Sequence, residues 1–436
     1  MMHAALSFAL LALALPAVAA PPPARDLIVL VLVDAMRPDH MGAYGYAPPT
    51  TPTLDALAKT SRRYTRAYTN APWTRPSTTT FLTGQNASRH RTETSTSKLP
   101  DDVTTLAERL HKAGYVTAGF TANGNGGSLA GLQRGFDHFE DPTRTYTKDK
   151  RGQVFANNLP TGAFLVEHAL AYLRTSKAQK LFVFLFLVDP HDPYETTPAL
   201  EKQFLGPDWK GVVRRKAMPE INNDYPADER FSMQAIYDAS IRAADNALAT
   251  FFAGLAGLGL FEGASLFVAS DHGEAFGEHN FYLHAHHFWE EVIHIPLLAH
   301  GPRFAPGIDE RLTQPLDVSA TLAQLAGADA AGLPGRSLLA PPVPGATVIS
   351  EYNEFGIHRQ AIMDGTWKVI WQRPADGAVF DQNYANRAMM PSVVFDRETV
   401  QVYDLIRDPK EQHDLSASMP PRAAELLAAL RAFVSG

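Results

Sequence analysis

The stretch Leu27-Ile28-Val29-Leu30-Val31-Leu32-Val33-Asp34 decides the fold. Its apolar residues run without alternation, so both faces of the strand are buried, as at the centre of a parallel sheet. Asp34 follows at once. Open α/β sheets bind ligands at the carboxyl ends of their strands, which makes an acid there a candidate site residue. The competing reading is a helix cap or a loop acceptor. The next residues, Arg37-Pro38-Asp39-His40-Met41-Gly42-Ala43-Tyr44-Gly45-Tyr46, read as a loop.

Two more buried runs repeat the arrangement. Residues 181–188 lead into Asp189-Pro190-His191-Asp192-Pro193-Tyr194, and residues 265–269 into Ser270-Asp271-His272-Gly273-Glu274. In a parallel sheet these ends lie on one edge. Carboxylates with imidazole and no thiolate form a donor set for a divalent metal.

Between the strands the spacing predicts helices over 53–60, 104–113, 162–175, 232–255, 318–326 and 420–434. Further strands are expected over 115–121, 295–299, 346–350, 360–363 and 367–371, with a hairpin signal at Asp364-Gly365. Residues 122–127 read as a flexible loop and 195–230 as a polar surface excursion. Strands and helices alternate first, then strands cluster. The expected architecture is a three-layer α/β/α sandwich with a mostly parallel central sheet, plus a small C-terminal α+β subdomain. Pro341-Pro342-Val343-Pro344-Gly345 separates a catalytic unit at 24–340 from the subdomain at 346–436.

The stretch Asn70-Ala71-Pro72-Trp73-Thr74-Arg75-Pro76-Ser77-Thr78-Thr79-Thr80-Phe81-Leu82-Thr83-Gly84 carries a helix-start signal, with Pro76 at the first helical position and Thr74 near the N-cap. A hydroxyl there sits where backbone N–H groups and the helix dipole favour negative charge. Read alone, the stretch is also an ordinary Thr-rich capped helix.

Bulk composition narrows the function. In 436 residues, 45% are hydrophobic, enough for a large core and against global disorder. A net charge of −7 gives no basic footprint for nucleic acid. With no Cys in the sequence, disulfides, a thiol nucleophile and Cys-ligated metal are excluded. Residues 4–20 are a small-residue apolar run ending in Ala17-Val18-Ala19. This reads as an export signal over 1–20, placing the mature protein in the periplasm or outside the cell; the alternative is an uncleaved anchor. The run is short for a span, and no later stretch is apolar for long enough.

With these motifs in order, the chain resembles the sulfatase family of the alkaline phosphatase superfamily. Residues 33–45 are similar to that family's opening metal loop, and 71–84 to its nucleophile signature. Residues 189–194 resemble its central substrate-binding motif. Ser270-Asp271-His272-Gly273-Glu274, Gly277-Glu278-His279 and the following His284-Ala285-His286-His287 resemble its second metal motif. Val402-Tyr403-Asp404-Leu405 resembles its C-terminal motif. The resemblance implies metal ligands at Asp34, Thr74, Asp271 and His272 for one divalent ion, Mn, Ca, Mg or Zn, with a second ion an open question. It implies a nucleophile at Thr74 and catalytic roles for His191 and for His284 or His286. Arg75 and Asn123 are candidates for substrate contact, set against solvation for Arg75 and a turn role for Asn123. Arg37 is expected to brace the Asp34 loop, and Glu274 is either a supporting acid or an exposed one.

The departures matter as much. Sulfatases usually carry Cys or Ser in a Cys/Ser-x-Pro-x-Arg motif, and that residue is oxidised to formylglycine. Here the nucleophile position is Thr74 and the Arg position is Thr78. Oxidised threonine is a ketone, so no formylglycine is expected. The second Asp often found in sulfatases is Ala35. The implied activity is ester hydrolysis on a small-molecule, glycan or lipid substrate, with phosphate or phosphonate favoured over sulfate. The alternatives are a sulfatase working without formylglycine and an inactive binding protein of the same fold.

Overall fold

The computed structural model of the protein describes residues 25–142, 161–214, 225–354, 356–374 and 397–435; the expected export signal at 1–20 lies outside them. In chain order the elements are β1 (Asp26–Val33), α1 (Pro52–Ala58), β2 (Arg62–Tyr68), α2 (Thr74–Thr83), α3 (Ala87–His90), α4 (Leu106–Lys112), β3 (Val116–Thr121), β4 (His138–Glu140), α5 (Gly162–Thr175), β5 (Lys180–Leu187), α6 (Pro198–Leu205), α7 (Ala227–Gly257), β6 (Ser265–Ala269), β7 (Ala275–Phe276), β8 (Tyr282–Leu283), α8 (Glu290–Ile293), β9 (His294–His300), β10 (Gly307–Thr313), α9 (Pro315–Ala326), β11 (Val348–Glu354), β12 (Ile357–Met363), β13 (Trp367–Arg373), β14 (Thr399–Asp404) and α10 (Pro421–Ser435).

The three apolar runs are neighbours at the centre of an eight-stranded sheet of order β10-β2-β9-β6-β1-β5-β3-β4. β1 pairs in parallel with both β5 and β6. Only β9 is reversed, lying antiparallel to β6 and β2. Alternate residues of β1 serve opposite layers. Leu27, Val29, Val31 and Val33 face α1, α5 and α7, whereas Ile28, Leu30 and Leu32 face α2, α4 and α9. That double burial is why the run lacks alternation.

The C-terminal strands form a separate antiparallel sheet, β11-β12-β13-β14. One of its faces packs on Tyr68, Trp73, Phe288 and Trp289, and the other lies under α10. Asp364-Gly365 makes the β12–β13 hairpin, with Gly365 in the left-handed region at φ 85°. Among the described residues no helix is long and apolar enough to cross a membrane.

Several expectations need correction. β2, β4, β10 and β14 carry no apolar run; β2 reads Arg-Arg-Tyr-Thr-Arg-Ala-Tyr and β10 is an exposed edge. The excursion at 195–230 includes α6, which packs on α7. Residues 122–127 hold a tight turn at Gly124–Gly126 whose lead residue, Asn123, is bonded into the site.

Candidate active site

The helix that carries Thr74 differs from its reading in register. α2 begins at Thr74, so Thr74 is its first residue rather than its cap, and Pro76 is its third. Trp73 occupies the N-cap with no side-chain cap. All ten residues of α2 are buried although it is Thr-rich. The cost is met internally: Thr79, Thr80 and Thr83 hydroxyls donate to the carbonyls of Arg75, Pro76 and Thr79, four residues back. Ser77 donates to the Asp271 carbonyl at 2.6 Å, hooking the helix onto the loop after β6.

Asp34, Asp271 and His272 are fully buried, and their ligand atoms lie within 4.8 Å of one another. Their placement follows from sheet register, because β1 and β6 end side by side. Ala35 sits in the left-handed region at φ 57°, which turns its amide onto Asp271 Oδ1 at 3.1 Å. Gly273 is required by close approach: a Cβ there would lie 2.1 Å from the Glu291 carbonyl oxygen. Arg37 braces both loops, donating to the Glu274 carbonyl and Glu278 at 2.8 Å each, and to Asp39.

The His272 ring is oriented by Nδ1, which donates to the Gly273 carbonyl at 2.9 Å. Nε2 then carries the lone pair, 3.2 Å from Thr74 Oγ1 and 3.6 and 3.4 Å from the Asp34 and Asp271 carboxylates. Asp34 Oδ1 and Asp271 Oδ2 are buried without a hydrogen-bond donor. Two carboxylate oxygens and an imidazole lone pair facing one point, none with a proton to share, fit a divalent cation. The charges strain one another as they stand. Burial raises Asp34 to about 6 against the pull of His191 and Asn123. Burial and then Asp34 raise Asp271 to about 7, and burial drops His272 to about 3.

The other predicted residues surround this cluster at different depths. Asn123 donates to Asp34 Oδ2 at 2.7 Å while its own Oδ1 accepts from the Asn125 amide, so it holds a carboxylate and makes the turn at once. Arg75 is buried rather than solvated, its guanidinium spent on Asn125 Oδ1 and the Ser97 carbonyl. Thr78, at the family's Arg position, is fully buried and its hydroxyl has no partner.

The structure separates the histidines. The His284 ring lies 4.2 Å from that of His272 and 5.1 Å from that of His191. Its Nδ1 meets Glu274 Oε1 at 3.1 Å, and Glu274 is fully buried, not an exposed loop acid. His286 instead sets its Nδ1 against the Tyr352 hydroxyl at 2.8 Å, in the seam with the C-terminal sheet. His191 donates from Nδ1 to the Asp192 carbonyl at 2.8 Å. Burial opposes charge on His191, but Asp34, Asp192 and Glu274 outweigh it and raise the ring to about 9. A second cluster, His279, Glu291 and Glu411, already has its cation, since Lys368 Nζ lies 2.8 Å from Glu411. Sequence reasoning missed Tyr352, Ser77 and Lys368, none of which carries a local signal.

The Sulfatase family model matches residues 26–328, and the chain belongs to the sulfatase family. It is 26% identical over 461 residues to a choline-sulfatase of Rhizobium meliloti, covering 91% of this chain and 86% of that protein. It is 27% identical over 518 residues to the steryl-sulfatase of Mus musculus, covering 96% and 82%. Among solved structures it is similar to the phosphonate monoester hydrolase of Agrobacterium radiobacter, with a TM-score of 0.73, 20% identity, and coverage of 94% and 95%. The protein is a sulfatase-family hydrolase acting on esters.

Proposed function

We propose that this hydrolase uses unmodified Thr74 as its nucleophile on a phosphate or phosphonate ester. The observation that carries the reading is Thr74 Oγ1 at the start of a buried helix, 3.2 Å from the lone pair of His272 and beside Asp34 and Asp271. Asp34, Asp271, His272 and the Thr74 hydroxyl would hold the divalent ion. When bound, such an ion lowers the pKa of the hydroxyl and offsets charge on the ester's oxygens.

The chain's own residues supply the rest. Thr74 Oγ attacks phosphorus in line, a P–O bond to threonine forms, and the P–O bond to the leaving group breaks. His284, held by Glu274, and the cationic His191 flank the attack point; one protonates the departing oxygen and the other steadies the equatorial oxygens. Water then attacks the phospho-threonine, releasing phosphate or phosphonate and restoring the hydroxyl. A sulfo-threonine would lack the C–O cleavage route that formylglycine provides, which favours phosphorus over sulfur. The 1–20 leader supports export to the periplasm or beyond.

The names of the curated relatives favour a second reading, sulfuric ester hydrolysis without formylglycine. Metal-loaded protein assayed on matched aryl sulfate, phosphate monoester, phosphodiester and phosphonate substrates separates the two. Phosphorus ester turnover lost in Thr74→Ala is expected. Sulfate-only turnover would select the second reading, and activity unchanged in Thr74→Ala would remove the nucleophile. Mass spectrometry of the 70–84 peptide should find Thr74 unmodified.

A further inference from the structure

The structure holds a cavity of about 580 Å³ lined by His191, between α5, the loop after β5, α6 and α7. His191 belongs to both places. It lines the cavity, and its ring lies 5.1 Å from that of His284, which in turn lies 4.2 Å from that of His272 in the catalytic cluster. The volume is that of a pocket for a small organic group. Leu200 and Ala243 contribute apolar wall, and the acids Asp189, Asp192 and Glu195 line the same space. Among the described residues that line it there is no Lys or Arg. Asp192 is balanced by His191 at 3.2 Å, whereas Asp189 is met by backbone amides alone, Gly162 on its Oδ2 at 2.8 Å and its own. Its described lining is therefore net negative.

We propose that this cavity receives the organic part of the ester, and that this part is small and bears a positively charged nitrogen. An ammonium group would sit against the acids with its carbon frame on the apolar wall, and its ester oxygen would reach past His191 to the attack point. Burial raises Asp189 to about 6, a cost that a cation in the cavity relieves. A polyanionic glycan would meet like charge along the same wall. The identification of the occupant with the leaving group rests on the ester-hydrolase reading; the preference for a cation does not.

The test uses the full-length protein and two probes of similar size, benzyltrimethylammonium and benzoate, measured by calorimetric titration. Saturable binding of the ammonium probe alone is expected, weakened by about tenfold or more in Ala243→Phe, which fills the space, and in Glu195→Lys, which reverses a charge. Two phosphodiesters alike in the reacting group, one with an ammonium-bearing and one with a carboxylate-bearing alcohol, should differ in kcat/KM by about tenfold or more in the same direction. Failure of the ammonium probe to bind, or binding untouched by both variants, overturns the proposal. Equal kcat/KM for the two esters overturns the assignment of the cavity to the leaving group. Ammonium binding that follows the variants, with no ester turned over, confines the failure to the hydrolase reading and keeps the cation cavity.

Discussion

Replacing Lys368 by Met tests how the two parts of the molecule are joined. Lys368 lies on β13 with its side chain fully buried. Its Nζ meets Glu290 at 2.7 Å, Glu411 at 2.8 Å and the Phe288 carbonyl at 3.0 Å. Glu411 is equally buried and also accepts the Glu290 amide at 2.8 Å. Methionine keeps the stem's packing but removes the ammonium shared by two carboxylates. Breaking a buried pair from one side costs about 3–5 kcal/mol. Glu411 can escape part of that by taking up a proton, since burial already raises it, so the loss at neutral pH belongs near the lower figure and grows as pH rises. Urea unfolding followed by tryptophan fluorescence measures it, because Trp367 and Trp371 share β13 with Lys368. The double variant Lys368→Met/Glu411→Gln should recover at least ~1 kcal/mol, since the more deeply buried of the two stranded charges is gone. A single variant within ~0.5 kcal/mol of the native protein, or a double variant with no recovery, would refute the reasoning.

The metal cluster and the seam give further expectations. Asp271→Asn should abolish stoichiometric divalent metal in protein loaded and then desalted, read by elemental analysis. Asn123→Ala should weaken metal affinity by about 10–100-fold in calorimetric titration while the far-ultraviolet spectrum is unchanged, because it removes the donor that orients Asp34. Glu351 offers a pH-dependent test away from the site. Burial raises its carboxyl from 4.5 to about 7, with Ser88 hydrogen bonding opposing. The folded state therefore holds the proton more tightly than the unfolded chain, so this contribution is full below about pH 4.5 and is lost as pH rises through about 7, by up to ~3 kcal/mol. Glu351→Gln should raise the unfolding midpoint at pH 8 relative to native and leave it little changed at pH 4.5. A constant difference at both values would count against the burial argument.

Much of the fold was legible because its centre obeys a single rule. β1, β5 and β6 are covered on both faces, so they read as unbroken apolar runs. Both ends of α5 follow from the sequence because Thr161 caps it and its apolar positions keep helical spacing. The strands that escaped notice answer to other constraints. β10 is an edge with one neighbour, and the arginines of β2 keep it from reading as apolar. The site divides along the same line. Asp34, Asp271 and His272 were legible because each lies within three residues of the end of a buried strand. Choosing between His284 and His286 was not possible from a loop, where two residues of spacing fixes no direction. Only packing separates them: one ring lies on His272, the other meets Tyr352 from a sheet 66 residues away.

The register of α2 carries the deepest consequence of that difference. A Thr at the cap would spend its hydroxyl on the helix's own first-turn amides. At the first helical position it has no such duty, and Trp73 before it caps nothing with its side chain. The uncapped end of a buried ten-residue helix therefore points its partial positive charge at the same place as the Thr74 hydroxyl. Its position is not adjustable, because Ser77 ties the helix to the Asp271 carbonyl and Ser319 donates to that of Phe81. Thr74 and the carboxylates are thus fixed to one another through serine hydroxyls anchored on backbone carbonyls. Substitutions that keep those backbone anchors and change only the Thr74 side chain test the hydroxyl itself, and this is why loss in Thr74→Ala can be assigned to chemistry rather than to a displaced helix.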